Sequence, residues 1–255
     1  MNITNPPRPA DRGRLVLAAF VAWGIVSTAL LQGLNVDGSN ILRLEIAPHA
    51  AAFVEELHHW QESKEAVCGI GAAASVGGPG YGTLRCQLFV DSIGLVPAYV
   101  GLLLFFTLAF SRGAGIASPL ARHLMCAPAV AAGLFDIAEN GMTGRAVEDY
   151  VHIVLADATV HDVTHASLTK WALLAIAFAL VAGLALATAR RGQTHGARWL
   201  LAGAALGFVG ALLFAAGVVT QAPGLFGPGM GLAIVSLMVL AAWRWRNSAT
   251  PKGSN

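Results

Sequence analysis

Six long apolar runs constrain the fold of this chain more than any other feature of its sequence. A transmembrane helix needs about 20 predominantly apolar residues to cross a hydrocarbon core about 30 Å thick. Runs of that length cover residues 15–33, 88–111, 120–143, 166–188, 199–220 and 226–243. Only 12% of the 255 residues are charged, whereas soluble domains carry about 25%. We therefore predict an all-α fold, an integral membrane helical bundle with six transmembrane helices.

The basic residues predict which helix ends face the cytoplasm, because Lys and Arg are enriched in cytoplasmic loops. With the N-terminus inside, 11 of the 16 Lys and Arg residues lie on the cytoplasmic side. We expect a multi-pass protein of the inner membrane with a cytoplasmic N-terminal tail (1–14) and C-terminal tail (244–255). The membrane domain, 15–243, then has two long outer loops, 34–87 and 144–165. Membrane lipids are the expected surroundings, and no basic tract indicates nucleic-acid binding.

The first outer loop is too long for a plain connector. Pro48 should break or start a helix, and the apolar spacing from Ala50 onward predicts an amphipathic helix on the membrane surface or over the bundle. Cys68 and Cys86 both fall in this loop. An oxidising exterior would permit a disulfide between them, and two unpaired thiols are the alternative.

The third span carries polar residues where lipid or a packed interface is expected. Asp136, Glu139 and Asn140 stand at i, i+3 and i+4 and therefore share one helix face. Ala132 and Gly133 continue that face, and small residues let a neighbouring helix approach closely. A carboxylate inside a bilayer costs a few kcal/mol and marks a functional site by default. We expect this face to point into the bundle.

Counting ~1.5 Å per residue from the cytoplasmic arginines places polar groups from three spans in one outer-leaflet layer. The members are Asp91, Asp136, Glu139, Asn140 and Lys170. Lys170 would neutralise one carboxylate, and a second could act as an acid or a proton carrier. Tyr99 could offer a hydroxyl deeper in the same cavity. The structural alternative is a buried Lys–carboxylate pair with an Asn that joins helices, but three acids at one depth favour a functional site.

Two histidines form a weaker candidate site. His161 and His165 stand at i and i+4 with Asp162 between them, a set that could hold zinc or a similar divalent metal. The spacing alone is a weak signal, since the Glu of the H-E-x-x-H motif is missing. Two interfacial histidines in a wet loop are the simpler interpretation.

The polar pattern resembles that of a family of small bacterial polytopic membrane proteins. The matching residues are Leu44-Glu45-Ile46-Ala47, Trp60, Asp91, Tyr99, Ala132-Gly133, Asp136-x-x-Glu139-Asn140 and Lys170. The resemblance covers roughly residues 40–175, and its specific part is the third-span motif. Segment 64–85 looks like an insertion relative to that pattern. The resemblance adds Glu45 to the candidate residues, and it implies no activity.

Three functions are compatible with these residues. The first is an intramembrane enzyme for a lipid or isoprenoid-like substrate, with Asp136, Glu139, Asp91 and Lys170 as catalytic candidates. Asn140, Glu45, Tyr99 and Trp60 would then bind the substrate. The second is a proton- or cation-coupled transporter, although the sequence shows no inverted repeat. The third is a non-catalytic sensor or partner protein. One-sided polar groups favour the first, and the sequence specifies neither a substrate nor an oligomeric state.

Overall fold

A computed structural model of the chain describes residues 9–34, 41–61, 79–152, 154–191 and 196–249. Within these ranges the fold is entirely helical, with ten α-helices, one π turn and no strand. The helices are α1 Pro9–Gly33, α2 Ile41–Glu45, α3 Ala50–Gln61, α4 Pro79–Val90, α5 Val96–Gly113, α6 Pro119–Leu124, α7 Ala127–His152, α8 Asp157–Arg190, α9 Ala197–Thr220 and α10 Pro223–Ala249. The predicted all-α bundle is confirmed.

Six helical stretches of the described chain are long and apolar enough to cross a membrane. They are Arg12–Gly33, Tyr81–Gly113, Pro119–His152, Asp157–Arg190, Ala197–Thr220 and Gly224–Asn247. Each contains one of the six predicted runs, so the number of spans agrees with the sequence. Large apolar side chains such as Leu134 and Leu212 point outward and are more than 60% exposed, as expected of helix faces that contact lipid.

The second span begins earlier than its apolar run suggests. The apolar run begins at residue 88, but α4 starts at Pro79 and runs into a π turn, Asp91–Leu95, before α5 continues the helix. In the π turn the Val96 amide donates to the Asp91 carbonyl. Pro97 follows directly and has no amide hydrogen for the helical ladder. The irregular turn therefore coincides with the position where an ordinary helical bond cannot form.

Helix α8 is the central element of the bundle and packs against α5, α7 and α9, while α9 packs on α10. Aromatic rings fill the core around it; the ring centroids of Trp171 and Phe214 are 5.3 Å apart. Glycines allow α9 and α10 to approach closely. A Cβ on Gly210 would lie 3.0 Å from the carbonyl oxygen of Gly229, so a larger residue there would push the helices apart.

The amphipathic helix expected from Ala50 onward is confirmed as α3, which lies over the bundle against α4 and α8. Its apolar face is fully buried, with Phe53, Leu57 and Trp60 at 0% exposure. These side chains form a second apolar cluster with residues of α4, α7 and α8. Pro48 lies between α2 and α3, as its helix-breaking character predicts.

Segment 144–165, expected as an outer loop, is mostly helical. Helix α7 runs to His152 and α8 begins at Asp157. The reason is that apolar residues continue beyond the predicted span: Ala146, Val147, Val160 and Val163 are all buried in the second apolar cluster. Both helices therefore extend past the expected boundary to hold α2 and α3.

Arginines gather where α1 begins and α10 ends, which we call the basic end of the bundle. A guanidinium nitrogen of Arg14 donates to the Trp245 carbonyl over 3.3 Å. The Arg246 guanidinium lies over the Trp199 ring at 5.7 Å. Helices α2 and α3 pack against the start of α8 instead, at the opposite end, which we call the site end.

Candidate functional site

Lys170 of α8 is the centre of a buried polar network. Its ammonium group contacts three carboxylates: Glu45 Oε2 at 3.2 Å, Asp136 Oδ1 at 3.0 Å and Glu139 Oε2 at 2.5 Å. All four residues are buried, and Glu139 is fully so. The carboxylates come from α2 and α7. One lysine therefore joins three helices through charge-assisted hydrogen bonds.

Helix α7 supplies the largest part of the network, as the sequence predicted. Asp136, Glu139 and Asn140 are all buried and share the face that points into the bundle. Gly133, one turn away, permits close contact with α5, because a Cβ there would lie 2.6 Å from Val100 Cγ2. The small-residue face thus brings the carboxylates close to the neighbouring helix.

Asp91 and Tyr99 join the network from the second span. The Tyr99 hydroxyl donates to Asp136 Oδ2 at 2.7 Å. Asn140 Nδ2 donates to Asp91 Oδ2 at 2.8 Å and to Ser92 Oγ at 3.0 Å. Asp91 and Ser92 lie in the π turn, which places both oxygen acceptors next to α7. The sequence predicted only a shared layer for these residues. In the structure they are in contact, with Asp91 bound to Asn140 rather than to Lys170.

Glu45 reaches the network from α2, a helix that lies outside the spans. Besides Lys170, it accepts a hydrogen bond from the Ser167 hydroxyl at 3.2 Å. The Thr164 hydroxyl donates to the Ala47 carbonyl at 2.8 Å and anchors the end of α2. We did not predict Thr164 and Ser167. Thr164, Ser167 and Lys170 follow one another at intervals of three residues. That spacing was the available signal, because it puts all three on one face of α8.

The network leaves three buried oxygen atoms of α7 without a hydrogen-bond partner within the described part of the chain. They are Glu139 Oε1, Asn140 Oδ1 and Thr143 Oγ1. A buried polar atom without a partner costs free energy, about 1–3 kcal/mol in mutational data. These atoms lie along one face of α7, and together they indicate that the network can accept further hydrogen-bond donors.

The formal charges of the network do not balance. Three carboxylates share the single positive charge of Lys170. A fourth carboxylate, that of Asp91, is hydrogen-bonded to Asn140. Buried charges without a counter-ion are strongly unfavourable in a low-dielectric interior. Charge balance therefore requires protons or another cation at the site, and the arrangement is suited to holding and releasing a proton.

Trp60 and the two histidines lie apart from this network. Trp60 belongs to α3 and is buried in the second apolar cluster. His161 and His165 are exposed on α8, with stacked rings 5.9 Å apart. Among the described residues, no group of three or more His, Cys, Asp and Glu side chains is arranged to hold a metal, so the structure does not complete the metal site considered for these histidines.

The expected disulfide involves a residue outside the described part of the chain. Cys86 lies buried in α4, but Cys68 falls within 62–78, outside the described ranges. The bridge stays a prediction. Cys126, near the start of the third span, is buried and has a free thiol.

The fold and the site together define a class: a multi-pass helical membrane protein with a buried carboxylate–lysine network. Comparison of the chain with protein-family models, with curated proteins and with solved structures finds no match.

Proposed function

We propose that this protein is an intramembrane enzyme that binds a lipid or isoprenoid-like amphiphile and uses its buried carboxyl groups for acid chemistry. The observation that carries the proposal is the convergence of Glu45, Asp136 and Glu139 on Lys170. A carboxyl group held among like charges can act as a general acid. Functional sites are the usual reason for ionisable residues inside a membrane.

In this proposal Glu139 is the acid and Lys170 is its electrostatic partner. The acid passes its proton to an oxygen or a double bond of the substrate, and Lys170 stabilises the carboxylate that remains. Tyr99 positions Asp136 by the bond to Oδ2. The Asn140 amide oxygen has no hydrogen-bond partner among the described residues and can accept a hydrogen bond from the substrate.

The proposal also assigns an orientation in the inner membrane. The basic end, marked by Arg14 and Arg246, lies in the cytoplasm, as expected if positive residues stay inside. The site end then faces the outer side, and the substrate enters from the outer leaflet. The resemblance to small bacterial membrane proteins is in keeping with this placement.

The test is a comparison of purified variants on a total membrane-lipid extract, with products followed by mass spectrometry. We expect Asp136→Asn and Glu139→Gln to abolish any lipid conversion seen with the wild type. Asp162→Asn, at an exposed position on α8, should leave it unchanged. Variants that are folded by circular dichroism but convert lipid at the wild-type rate would refute the proposal.

Proton- or cation-coupled transport is the second candidate, and the charge imbalance at Lys170 favours it. However, the core on the basic side of Lys170 is packed with apolar side chains such as Phe106, Leu174 and Phe178, and these would block a continuous polar path. Proteoliposome flux that depends on pH and is lost in Glu139→Gln would support transport over catalysis.

A further inference from the structure

A cleft of about 240 Å³ lies between α4 and α7 beside the buried network. Its lining residues are Arg85, Leu88, Asn140, Gly141, Gly144, Arg145 and Glu148. One of them, Asn140, also holds Asp91 and Ser92 through its Nδ2. The cleft and the network therefore share a side chain, and a molecule in the cleft would contact both.

The charged residues of the cleft favour an anion. Arg85 is bound to Glu148 at 3.0 Å, whereas Arg145 is exposed and makes no ion pair with any described residue. The two guanidinium groups and one carboxylate leave one net positive charge. Guanidinium groups match the geometry of phosphate and carboxylate oxygens better than any other side chain.

Two glycines make room for the ligand on the α7 side. A Cβ added to Gly141 or Gly144 would meet no atom within 4 Å, so neither glycine is required by close packing. A larger side chain at either position would project into the cleft instead. Leu88 on the α4 side adds an apolar contact, which suits a molecule that carries a chain behind its charged group.

Asn140 supplies an independent indication of a ligand. It is 96% buried, and its Oδ1 has no hydrogen-bond partner among the described residues. Buried polar side-chain atoms usually have a hydrogen-bond partner, so an unpaired one in the wall of a cleft is unusual. A hydrogen-bond donor on a molecule seated in the cleft, such as the hydroxyl of a singly protonated phosphate group, would satisfy it.

We propose that this cleft binds the anionic headgroup of the substrate, a phosphate or carboxylate held by Arg145 and Arg85. The conversion of the bound molecule rests on the proposed function. Its binding in the cleft does not. With the headgroup in the cleft, the adjoining part of the molecule lies against Asn140, next to Glu139. The substrate class is thereby narrowed to anionic amphiphiles.

The test measures binding without turnover, by the shift in thermal unfolding of the protein in uncharged detergent. The probes are inorganic phosphate, short-chain phosphatidic acid and short-chain phosphatidylcholine. We expect phosphatidic acid to bind, and Arg145→Gln to weaken binding by roughly tenfold, the loss of one charge-assisted hydrogen bond. Arg190→Gln, an exposed arginine at the far end of α8, is the matched control and should have no effect.

Two further variants make the test sharper. Glu148→Gln removes the carboxylate that competes with the ligand for Arg85, so it should tighten phosphatidic acid binding. Gly144→Leu should fill the cleft and abolish binding in a folded protein. Tighter binding of phosphatidic acid than of phosphate supports a lipid headgroup, and equal binding supports a free anion. Binding of neither anion, or equal responses to Arg145→Gln and Arg190→Gln, would overturn the proposal.

The binding result separates this inference from the proposed function. Glu139→Gln should lose lipid conversion but retain binding of the anion, because Glu139 does not line the cleft. If the wild type and all variants bind the anion but none converts lipid, the proposed enzymatic function is refuted and the anion site is retained. Conversion that is insensitive to Arg145→Gln would refute the anion site and leave the enzyme standing.

Discussion

Replacing Lys170 by Met gives the most direct test of the network. Methionine has a similar length, so the change removes the charge with little loss of volume. At an effective dielectric constant of about 20, each carboxylate at 2.5–3.2 Å from the ammonium group is attracted by about 5–7 kcal/mol. Repulsion among the three carboxylates and the cost of desolvation cancel most of this attraction. Removing one partner of a buried ion pair costs about 3–5 kcal/mol, and we expect Lys170→Met to fall in that range.

The measurement is reversible unfolding in mixed micelles with increasing dodecyl sulfate, followed by tryptophan fluorescence. Glu139→Gln is the complementary variant. It leaves Lys170 with two carboxylates and reduces the negative excess, so we expect a change of less than about 1 kcal/mol. Arg43→Met breaks a partly exposed ion pair with Glu56 at 3.9 Å and should also cost less than about 1 kcal/mol. If Lys170→Met were no more costly than Arg43→Met, the charge argument would be wrong.

Two further predictions concern helix contacts and are checked by the same unfolding assay. Gly133→Ala should destabilise the protein by about 1–3 kcal/mol, because the new Cβ would lie 2.6 Å from Val100 Cγ2. Gly141→Ala on the same helix meets nothing within 4 Å and should stabilise it by up to about 1 kcal/mol; equal effects would contradict the packing. Asp157→Ala removes the acceptor of the Ala50 amide at 2.7 Å and should cost about 1 kcal/mol. It should also speed amide hydrogen exchange in α3 but not in α9. Unchanged exchange in α3 would refute a stabilising role of the Ala50–Asp157 hydrogen bond at the start of that helix.

The sequence was sufficient to predict the part of the site that lies on regular helices. The spacing of Asp136, Glu139 and Asn140 defines one face by helix geometry alone. The length of a span fixes depth, so Asp91 and Lys170 could be placed at the same level before any contact was known. The contacts of Lys170 and Asn140 agree with that estimate. Periodicity could not determine which acid pairs with Lys170, because that depends on helix rotation.

Glu45 could not be derived from the spans, because it lies in a segment whose path is set by tertiary packing. Only the resemblance suggested it. Its position depends on the bond between Thr164 and the Ala47 carbonyl, a contact between residues far apart in sequence. The helical extensions around 144–165 were missed for a similar reason. Polar residues are interspersed there with the buried valines, and hydropathy averages over both.

Hydrogen-bond pairing differs between the two sides of the network. Most buried polar atoms in folded proteins have a hydrogen-bond partner, since each unpaired one reduces stability. Here the Lys170 side of the network is saturated with carboxylates, whereas Glu139 Oε1 and Asn140 Oδ1 have no partner among the described residues. Asn140 also borders the arginine-lined cleft. An apolar replacement of a buried ion network is often as stable as the network itself, so stability alone does not account for three acids on one lysine. In the proposed anion site, a ligand in the cleft would pair with Asn140 Oδ1.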